Sequence, residues 1–475
     1  MHTTTQAFQT TAPDQLTIMD PRTGDVVGTF ASARPEDVAR AVAAARAAQP
    51  AWSGTSPAER GRLLRAAAAA LDEKAAELAE INARETGRPV EEARAGVAAG
   101  VATLEQYAEL GPVHRGHSLR GNTLAADFTA AEPRGVAVLL TPWNDPVAVA
   151  CGLIGAALVT GNTVVHKPSE RCPGVGERLG EVLASAFPPD VLQTLTGGAD
   201  VGSLLTQQPS VDVFAHVGSS DSGARIAQAA VLTGAHVIRE NGGNDPLVVD
   251  EDVDPEWAAE QAAVGAFSNS GQICTSVERI YVHRAVAEQF CDALAAQART
   301  RNRVGIAPLV DTRLRETVHR HVSESLRLGA RALEGGTVPD GPGAFYPATV
   351  LLDCTDSMEV MAEETFGPVA PVRVVDSFGE GLQLAAAGRY GLAATVLTGS
   401  IAHAQQAIAA LPVGTVKVND VFGGAPGGSA QPCGASGQGF GYGPELLDEF
   451  TRVKVVHMAA APGSGTGSSS EGLAE

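Results

Sequence analysis

From Gly135 onward the chain alternates between short β-branched runs and helical runs, and this alternation limits the possible folds more than any other feature. The first series of strands is predicted at residues 135–140, 163–166, 191–195, 211–217 and 236–240, with helices between them. A second series begins after Gly242, with strands predicted at residues 279–283, 371–375, 394–397 and 415–418. Parallel sheets covered by helices on both faces produce this order. We therefore predict an α/β fold. Because a chain of 475 residues is too long to form one compact core, we also predict more than one domain.

The segments outside these series are predicted to form further helices and strands. Helices are predicted at residues 35–46, 57–86 and 90–110, the second as one long helix. Two strands, at residues 118–129 and 132–140, follow, and the polar alternation of the first is typical of an exposed hairpin arm. A late, isolated β segment at residues 452–457 needs a partner strand, which another subunit could supply. The Gly/Ser-rich end, residues 461–475, is predicted to be disordered.

Charge and cysteine spacing argue against several classes of protein. The net charge of −20 is spread along the chain and would be repelled by nucleic acid and by anionic lipid, so we expect neither as a partner. The six cysteines include no CxxC pair, and we predict neither a metal site nor a disulfide framework. The longest apolar run, residues 147–159, is too short to span a bilayer, and the N-terminus lacks a signal-peptide pattern. The expected location is the cytoplasm.

Three side chains are of the types that catalyse reactions of carbonyl compounds. Cys274 lies in a loop of small polar residues, and its thiol could attack a carbonyl; alternatively, it is a buried structural cysteine. Glu240 ends a predicted parallel strand, where it could activate water or simply face solvent. Asn144 follows another strand and could donate a hydrogen bond to an oxyanion, cap the next helix, or do both.

Two other strand ends carry residues suited to a nucleotide. Lys167 and Glu170 follow the strand at 163–166 and could hold ribose hydroxyls. The segment from Gly218 to Gly223 connects a strand to a helix. It is not a GxGxxG motif and is weak evidence by itself, but a helix N-terminus suits a pyrophosphate.

In order and spacing, six short motifs strongly resemble the aldehyde dehydrogenase superfamily, over residues 20 to 457. They are PWN at 142–144, KPSE at 167–170, GS…G at 218–223, ENGG at 240–243, GQIC at 271–274 and EETFGPV at 363–369. The resemblance implies a nicotinamide-dependent enzyme that oxidises an aldehyde to a carboxylic acid through a thioester. It also implies an aldehyde dehydrogenase-like α/β fold with a Rossmann-type cofactor domain, an α/β catalytic domain and a β oligomerisation arm.

The resemblance also implies roles for individual residues. Cys274 would be the nucleophile, its backbone N–H and Asn144 would form the oxyanion hole, and Glu240 would be the general base. The candidate cofactor contacts are Trp143, Lys167, Ser169, Glu170, Gly218, Ser219, Gly223, Glu364 and Phe366. Within that set, Lys167 and Glu170 would bind the adenosine ribose, and Ser219 the pyrophosphate. Glu364 would bind the nicotinamide ribose, with Phe366 near the ring. We expect NAD, because Glu170 would repel a 2′-phosphate, with NADP left open.

Domain boundaries follow from the same resemblance. The cofactor domain would comprise residues 14–115 and 135–242, the catalytic domain residues 243–435, and the arm residues 116–134 and 436–460. An arm of this kind implies a homodimer or a homotetramer, with a small-molecule aldehyde as the substrate.

Several positions depart from the family pattern near the expected substrate tunnel. Asp145 stands where an aromatic or apolar residue is usual, and Asn241 stands where leucine is common. The late motif is shortened around Cys433. The candidate substrate residues are Asp145, Ile273, Thr275 and Cys433. These departures favour a polar or unusually shaped aldehyde; alternatively, Asp145 merely caps a helix.

Other activities remain open at this point. A CoA-acylating semialdehyde dehydrogenase would pass the thioester to CoA, although Glu240 argues against it. A non-catalytic binding protein could share the fold. A thiol hydrolase has little support, because no histidine stands out as a partner for Cys274.

Overall fold

The computed structural model describes residues 15–123, 125–423 and 428–461. Its first half combines a β-hairpin, a group of helices and a run of alternating strands and helices. In chain order the elements are β1 (Gln15–Met19), β2 (Val26–Ala31), α1 (Pro35–Gly54), α2 (Pro57–Glu73), α3 (Ala75–Thr86), α4 (Val90–Leu110), β3 (Ser118–Leu119), β4 (Ala125–Pro133), β5 (Val136–Leu140), α5 (Pro146–Val159), β6 (Thr163–Lys167), α6 (Pro173–Ala184), β7 (Leu192–Thr194), α7 (Ala199–Thr206), β8 (Val213–Gly218), α8 (Ser220–Thr233) and β9 (His236–Asn241).

The second half repeats the alternation and then returns to the first half. Its elements are β10 (Asp245–Val249), α9 (Pro255–Phe267), β11 (Val277–His283), α10 (Ala287–Val304), α11 (Thr312–Arg327), β12 (Arg331–Glu334), β13 (Thr349–Leu352), α12 (Glu359–Ala362), β14 (Val369–Val375), α13 (Phe378–Ala385), β15 (Tyr390–Gly391), β16 (Ala393–Leu397), α14 (Ile401–Ala410), β17 (Thr415–Val418), β18 (Cys433–Gly434), β19 (Gly437–Gln438), α15 (Leu446–Glu449) and β20 (Thr451–Ala459).

A six-stranded sheet in the order β19-β9-β8-β5-β6-β7 organises the first half. Strands β9 to β7 in that order are parallel, and β19 runs antiparallel to β9 at the edge. The sequence of β5 is apolar throughout because both of its faces are buried. Leu139 faces a core formed with α2, α4 and α5, whereas Val138 faces a core formed with α1, α7 and α8.

A seven-stranded sheet in the order β12-β13-β14-β11-β10-β16-β17 organises the second half. Only β12 is antiparallel to its neighbour. Ile280 and Tyr281 of β11 face opposite cores, as neighbouring residues of a strand must. The prediction of two α/β sheets is therefore confirmed.

The single long helix predicted over residues 57–86 is wrong. Helix α2 ends at Glu73, and Lys74, with φ −104° and ψ 7°, separates it from α3. The two helices pack on partly different neighbours, α2 on α4, α5 and α6 and α3 on α4 and α6. Tertiary packing thus interrupts a sequence whose helical propensity is continuous. Helix α1 also continues past the predicted end, to Gly54, although it contains Pro50.

The arm also differs from its prediction. The strands predicted at 118–129 and 132–140 are replaced by the hairpin of β3 and β4, with β5 as a separate strand in the six-stranded sheet. Residues 452–457 are not an isolated strand, because β20 pairs antiparallel with β4 along its whole length. The resulting sheet has the order β20-β4-β3, so β20 lies at an edge.

The predicted second arm segment, 436–460, belongs only in part to this small sheet. Gly437 and Gln438 lie at the edge of the six-stranded sheet, and Leu446, Leu447 and Phe450 are buried in its core. The predicted disordered tail lies outside the described residues from 462 onward. In the part of the chain that is described, no helix combines the length and apolarity needed to cross a bilayer.

Candidate active site

A sulfur and a carboxylate meet where the six-stranded sheet faces the loop before β11. The Cys274 thiol donates a hydrogen bond to Oε1 of Glu240, with a sulfur–oxygen distance of 3.7 Å. Glu240 lies near the carboxyl end of β9, and Cys274 lies between α9 and β11. Both residues are half-buried. The alternative in which Glu240 merely faces solvent is therefore wrong, and the thiol has an acceptor for its proton.

An unusual backbone presents Cys274 to the cavity. Asn269, Ser270 and Gly271 have consecutive positive φ values of 46°, 55° and 73°. A Cβ at Gly271 would lie 2.1 Å from the Gly367 carbonyl oxygen, so glycine is required there. Two non-glycine residues in this region cost about 1 kcal/mol or more each, and the surrounding structure must hold them.

Buried polar side chains hold this loop in place. Gln272 is buried; its amide nitrogen donates to the Asn269 carbonyl at 2.9 Å, and its amide oxygen accepts from the Val310 N–H at 2.8 Å. The Ser270 hydroxyl donates to the Ala307 carbonyl at 2.6 Å. The position of Cys274 is thus tied to the segment that precedes α11.

Asn144 reaches the same loop from the end of β5. Its amide nitrogen donates to the Gln272 carbonyl at 3.2 Å, which occupies one of its two N–H groups. On the other side, Nη1 of Arg88 donates to the Asn144 carbonyl at 3.1 Å. Within the described residues, the backbone N–H of Cys274 has no protein acceptor. One N–H of the Asn144 amide and the backbone N–H of Cys274 are therefore without a protein acceptor among the described residues.

Electrostatics favours the thiol over the thiolate in this arrangement. Burial raises the pKa of Cys274 well above its usual range, and the carboxylates of Glu240, Asp245 and Glu364 raise it further. Burial also raises the pKa of Glu240, and the hydrogen bond from Cys274 partly offsets that rise. The sulfur can therefore act as a nucleophile only if a base removes its proton as it attacks.

A cavity of about 250 Å³ brings these groups together. Its walls come from both sheets and from α11. The lining residues are Pro142, Trp143, Asn144, Val149, Arg171, Val217, Gly218, Ser219, Glu240, Asn241, Gly242, Cys274, Leu314, Thr317, Glu364, Thr365 and Phe366. Every predicted catalytic residue lies here, together with the predicted cofactor contacts Trp143, Gly218, Ser219, Glu364 and Phe366.

Glu364 and Phe366 are held by a buried carboxylate that the sequence analysis did not identify. Glu278 accepts hydrogen bonds from the Thr365 N–H at 2.7 Å and the Phe366 N–H at 2.8 Å. Phe366 has a φ of 52°, and its ring meets Trp143 edge-on at 5.5 Å. A Cβ at Gly242 would lie 1.9 Å from Glu364, so this glycine makes room for the carboxylate.

The other predicted cofactor residues do not line the cavity. The Lys167 ammonium donates to the Pro168 carbonyl at 2.8 Å, and the Ser169 hydroxyl accepts from the Arg171 N–H at 3.3 Å. Glu170 faces a neighbouring depression beside β1. Gly223 is buried against Asn241, and a Cβ there would lie 2.2 Å from the Asn241 amide oxygen. Close helix-to-strand packing explains that glycine.

The predicted substrate residues also lie outside the lining. Asp145 pairs with Arg88 at 3.0 Å. It occupies the N-cap position of α5 without a capping hydrogen bond, so the capping alternative is wrong. Cys433 is exposed in β18, which pairs with β15. Ile273 and Thr275 flank Cys274 and are half-buried.

Several cavity residues escaped the sequence analysis. Leu314 and Thr317 come from α11, a helix that was not predicted. Its buried Val318, His321, Val322 and Ser325 follow helical spacing and could have revealed it. Arg171 directly follows the KPSE motif, but a single arginine beside a motif carries little information.

The cavity fits a dinucleotide chemically. Glu364 offers carboxylate oxygens to ribose hydroxyls, and Trp143 and Phe366 offer aromatic faces. Ser219 is the N-cap of α8, whose remaining free N–H groups suit a phosphate. Gly242 leaves the space that the Glu364 carboxylate occupies, and this carboxylate lines the cavity where a ribose could meet it.

Comparison with known proteins places the chain in a large group of related enzymes. A family model described as the aldehyde dehydrogenase family matches residues 8–456. The benzaldehyde dehydrogenase (NAD(+)) of Pseudomonas putida is 35% identical over 469 residues, covering 94% of this chain and 93% of that protein. The betaine aldehyde dehydrogenase of Rhizobium etli is 33% identical, covering 93% of each chain.

Solved structures agree with the sequence relatives. Betaine aldehyde dehydrogenase from Staphylococcus aureus, solved in complex with NAD+, superposes with a TM-score of 0.91 at 29% identity, covering 95% of this chain and 93% of that chain. PnpE, solved with nicotinamide adenine dinucleotide, has a TM-score of 0.90 at 29% identity, covering 94% of each chain. The family resemblance seen in the sequence and the predicted fold are thereby confirmed.

Proposed function

This chain belongs to the aldehyde dehydrogenase family, and from that membership we propose how its own residues oxidise an aldehyde to a carboxylic acid with NAD. The observation that carries the mechanism is the meeting of the Cys274 sulfur, the Glu240 carboxylate and the Asn144 amide in one cavity. The substrate is a small-molecule aldehyde. Its carbonyl carbon would lie beside the sulfur.

The first step is attack by sulfur on the carbonyl carbon. Because the pKa of Cys274 is raised, Glu240 accepts the thiol proton while the carbon–sulfur bond forms. The carbonyl oxygen becomes the oxyanion of a thiohemiacetal. Its charge is stabilised by the free N–H of the Asn144 amide and by the Cys274 backbone N–H.

Bound NAD would supply the hydride acceptor for the oxidation. Loss of hydride from the thiohemiacetal carbon would leave that carbon attached to Cys274 as a thioester. Trp143, Gly218, Ser219, Glu364 and Phe366 would hold the cofactor in the cavity. Lys167 at the end of β6, and Ser169 and Glu170 in the loop after it, would contact its adenosine end. Glu278 holds the backbone of Thr365 and Phe366, the two residues that follow Glu364, and this would favour one position of the nicotinamide ribose.

The second step is hydrolysis of the thioester. Glu240 first releases the thiol proton to solvent, and it then takes a proton from a water molecule that attacks the thioester carbon. As the carbon–sulfur bond breaks, Glu240 passes that proton to the Cys274 sulfur, which leaves as the thiol. Gly441 gives the carboxylate room, since a Cβ there would lie 2.4 Å from Glu240 Oε2. This base for water distinguishes the proposed route from transfer to CoA.

We also propose a division of the chain into a cofactor-binding part, a catalytic part and an arm, and assembly into a homo-oligomer. The six-stranded sheet would carry the cofactor and the seven-stranded sheet the nucleophile. Support for assembly comes from β20, an edge strand that exposes Val453, Val455 and Met458 to solvent.

The test is an assay of NAD reduction with neutral and cationic aldehydes, using benzaldehyde and betaine aldehyde, in the presence and absence of CoA. We expect a carboxylic acid product without CoA and no turnover by Cys274→Ala. A CoA thioester as the product, or wild-type turnover by Cys274→Ala, would overturn the proposed mechanism. The same panel with NADP measures the cofactor preference.

A further inference from the structure

Arg171 supplies the only cationic side chain among the described residues that line the catalytic cavity. The same lining includes two carboxylates, Glu240 and Glu364. A dinucleotide brings a dianionic pyrophosphate into this space, which is lined by two carboxyl groups and one guanidinium. A helix N-terminus offers only a partial positive charge, about half an elementary charge, whereas a guanidinium carries a full one.

The guanidinium is held in place but retains unused donors. Nε of Arg171 lies 3.1 Å from Oδ2 of Asp311, and the guanidinium carbon lies 5.3 Å from the centre of the Trp143 ring. Within the described part of the chain, its Nη groups have no hydrogen-bond partner. Its side chain is 21% exposed, and Arg171 lines both the cavity and the adjoining depression.

From this geometry we propose that Arg171 binds a phosphate oxygen of the dinucleotide, which would make it a cofactor-binding residue. The inference rests on the proposed function, since it takes NAD as the ligand. Asp311 would modulate this contact, because its carboxylate neutralises part of the charge that Arg171 presents. Asp311 also accepts from the Leu314 N–H at 2.8 Å, so the ion pair joins the cofactor loop to the start of α11.

Arg313 provides a matched control. It pairs with the same Oδ2 of Asp311 at 3.3 Å, but its side chain is 69% exposed, and it borders the adjoining depression rather than the cavity. Arg313→Gln therefore removes a positive charge from the same carboxylate without removing a donor from the cavity.

The experiment measures the Kd of NAD by calorimetry for the wild type and for Arg171→Gln, Arg171→Lys, Arg313→Gln and Asp311→Asn, across a range of salt. We expect Arg171→Gln to raise the Kd on the order of tenfold and to flatten its salt dependence, with partial recovery in Arg171→Lys. Arg313→Gln should stay within about twofold of wild type. Asp311→Asn should bind NAD more tightly, because asparagine can still cap α11 while Arg171 loses its neutralising partner.

The signs of these changes separate a phosphate contact from a structural ion pair. If Arg171 and Asp311 merely hold two segments together, both variants weaken NAD binding alike and lower the Tm alike, and the inference is overturned. An unchanged Kd in Arg171→Gln also overturns it while leaving the proposed function intact. Failure of the wild type to bind NAD would instead overturn the proposed function.

Discussion

At the scale of single residues, Glu240 faces two reactants in succession. Its carboxylate accepts from the Cys274 thiol, and its raised pKa keeps it a stronger base than an exposed glutamate. Activity should therefore rise with pH as Glu240 ionises, because only the carboxylate form accepts a proton. The same carboxylate would then serve the water that hydrolyses the thioester.

Glu240→Gln should retain a burst of reduced cofactor followed by slow turnover. Loss of a general base costs about 10²–10⁴-fold in the hydrolysis step. The burst itself should be slower than in wild type at neutral pH. It should accelerate with rising pH, because without the Glu240 carboxylate the buried thiol must lose its proton to solvent or hydroxide. Stopped-flow absorbance over a pH series measures both phases, with Cys274→Ala as the control that shows no burst. Steady turnover equal to wild type would contradict the prediction.

Arg88 acts through Asn144 and is a positioning residue. It is 15% exposed and donates to the Asn144 carbonyl, so its removal should loosen the turn that aims the amide. We expect Arg88→Met to lower kcat about tenfold with little change in KM, against about 10²–10³-fold for Asn144→Ala. Added to Asn144→Ala, Arg88→Met should cost nothing further.

A double-mutant cycle on kcat therefore tests Arg88. Glu92→Gln is the matched control, because Glu92 pairs with Arg88 at 3.9 Å from the solvent side and is 49% exposed. Additive losses in the double variant would show that Arg88 acts independently of Asn144.

At the scale of elements, strands and motifs were predictable, but their partners were not. The apolar runs of β5 and β6 and the PWN, ENGG and GQIC motifs are local signals, and Asn144, Glu240 and Cys274 do meet. The break at Lys74 and the placement of Cys433 depend on contacts distant in sequence. Cys433 lies beside Gly391 because β18 pairs with β15, and no local pattern encodes that pairing. The role proposed for Arg171 likewise depends on its ion pair with Asp311, which lies directly before α11 and far from Arg171 in the sequence.

Gly223 is an element-scale requirement, because it lets α8 approach β9. Gly223→Ala should place a methyl group 2.2 Å from the Asn241 amide, whose nitrogen is fixed on the Ala435 carbonyl at 2.9 Å. We expect a loss of about 1–3 kcal/mol in the free energy of unfolding. Gly202→Ala in α7 is the matched control, since its nearest neighbour is Lys167 Cε at 3.8 Å. Removing a helical glycine without a clash should stabilise by about 0.5–1 kcal/mol.

Chemical denaturation of the two alanine variants measures this difference. Equal effects at both positions would show that packing between α8 and β9 does not require a glycine.

At the scale of the whole molecule, a buried carboxylate links stability to pH. Glu85 in α3 accepts from the Gly174 and Val175 N–H groups at 2.9 Å each, at the start of α6. Burial raises the pKa of Glu85 to about 7. Because the folded pKa lies above the unfolded value, the folded state binds more protons in this range, and its stability falls as pH rises from about 4.5 to 7.

Glu85→Gln should remove this component of the pH dependence. The wild type should lose up to about 3 kcal/mol relative to the variant across that window. Glutamine resembles the protonated acid, so the two proteins should be most alike in pH response below pH 4.5. Urea unfolding at a series of pH values gives the difference, and parallel stability curves for the two proteins would refute the linkage.

Assembly is the remaining whole-molecule question, and the edge of the small sheet gives it a direct test. Val453 and Val455 are 73% and 68% exposed on one face of β20, an edge strand that could pair with another chain. Lysine at both positions places positive charge where a second subunit would pack. Burying these unpaired charges costs free energy and should destabilise the interface. We expect Val453→Lys combined with Val455→Lys to shift the mass measured by light scattering toward the monomer.

Val304→Lys is the matched control, because it makes the same chemical change at an 84% exposed site on α10 and should leave the mass unchanged. A wild-type protein that is monomeric at micromolar concentration would contradict the proposed homo-oligomer. An unchanged mass in the double variant would show that the interface does not include β20.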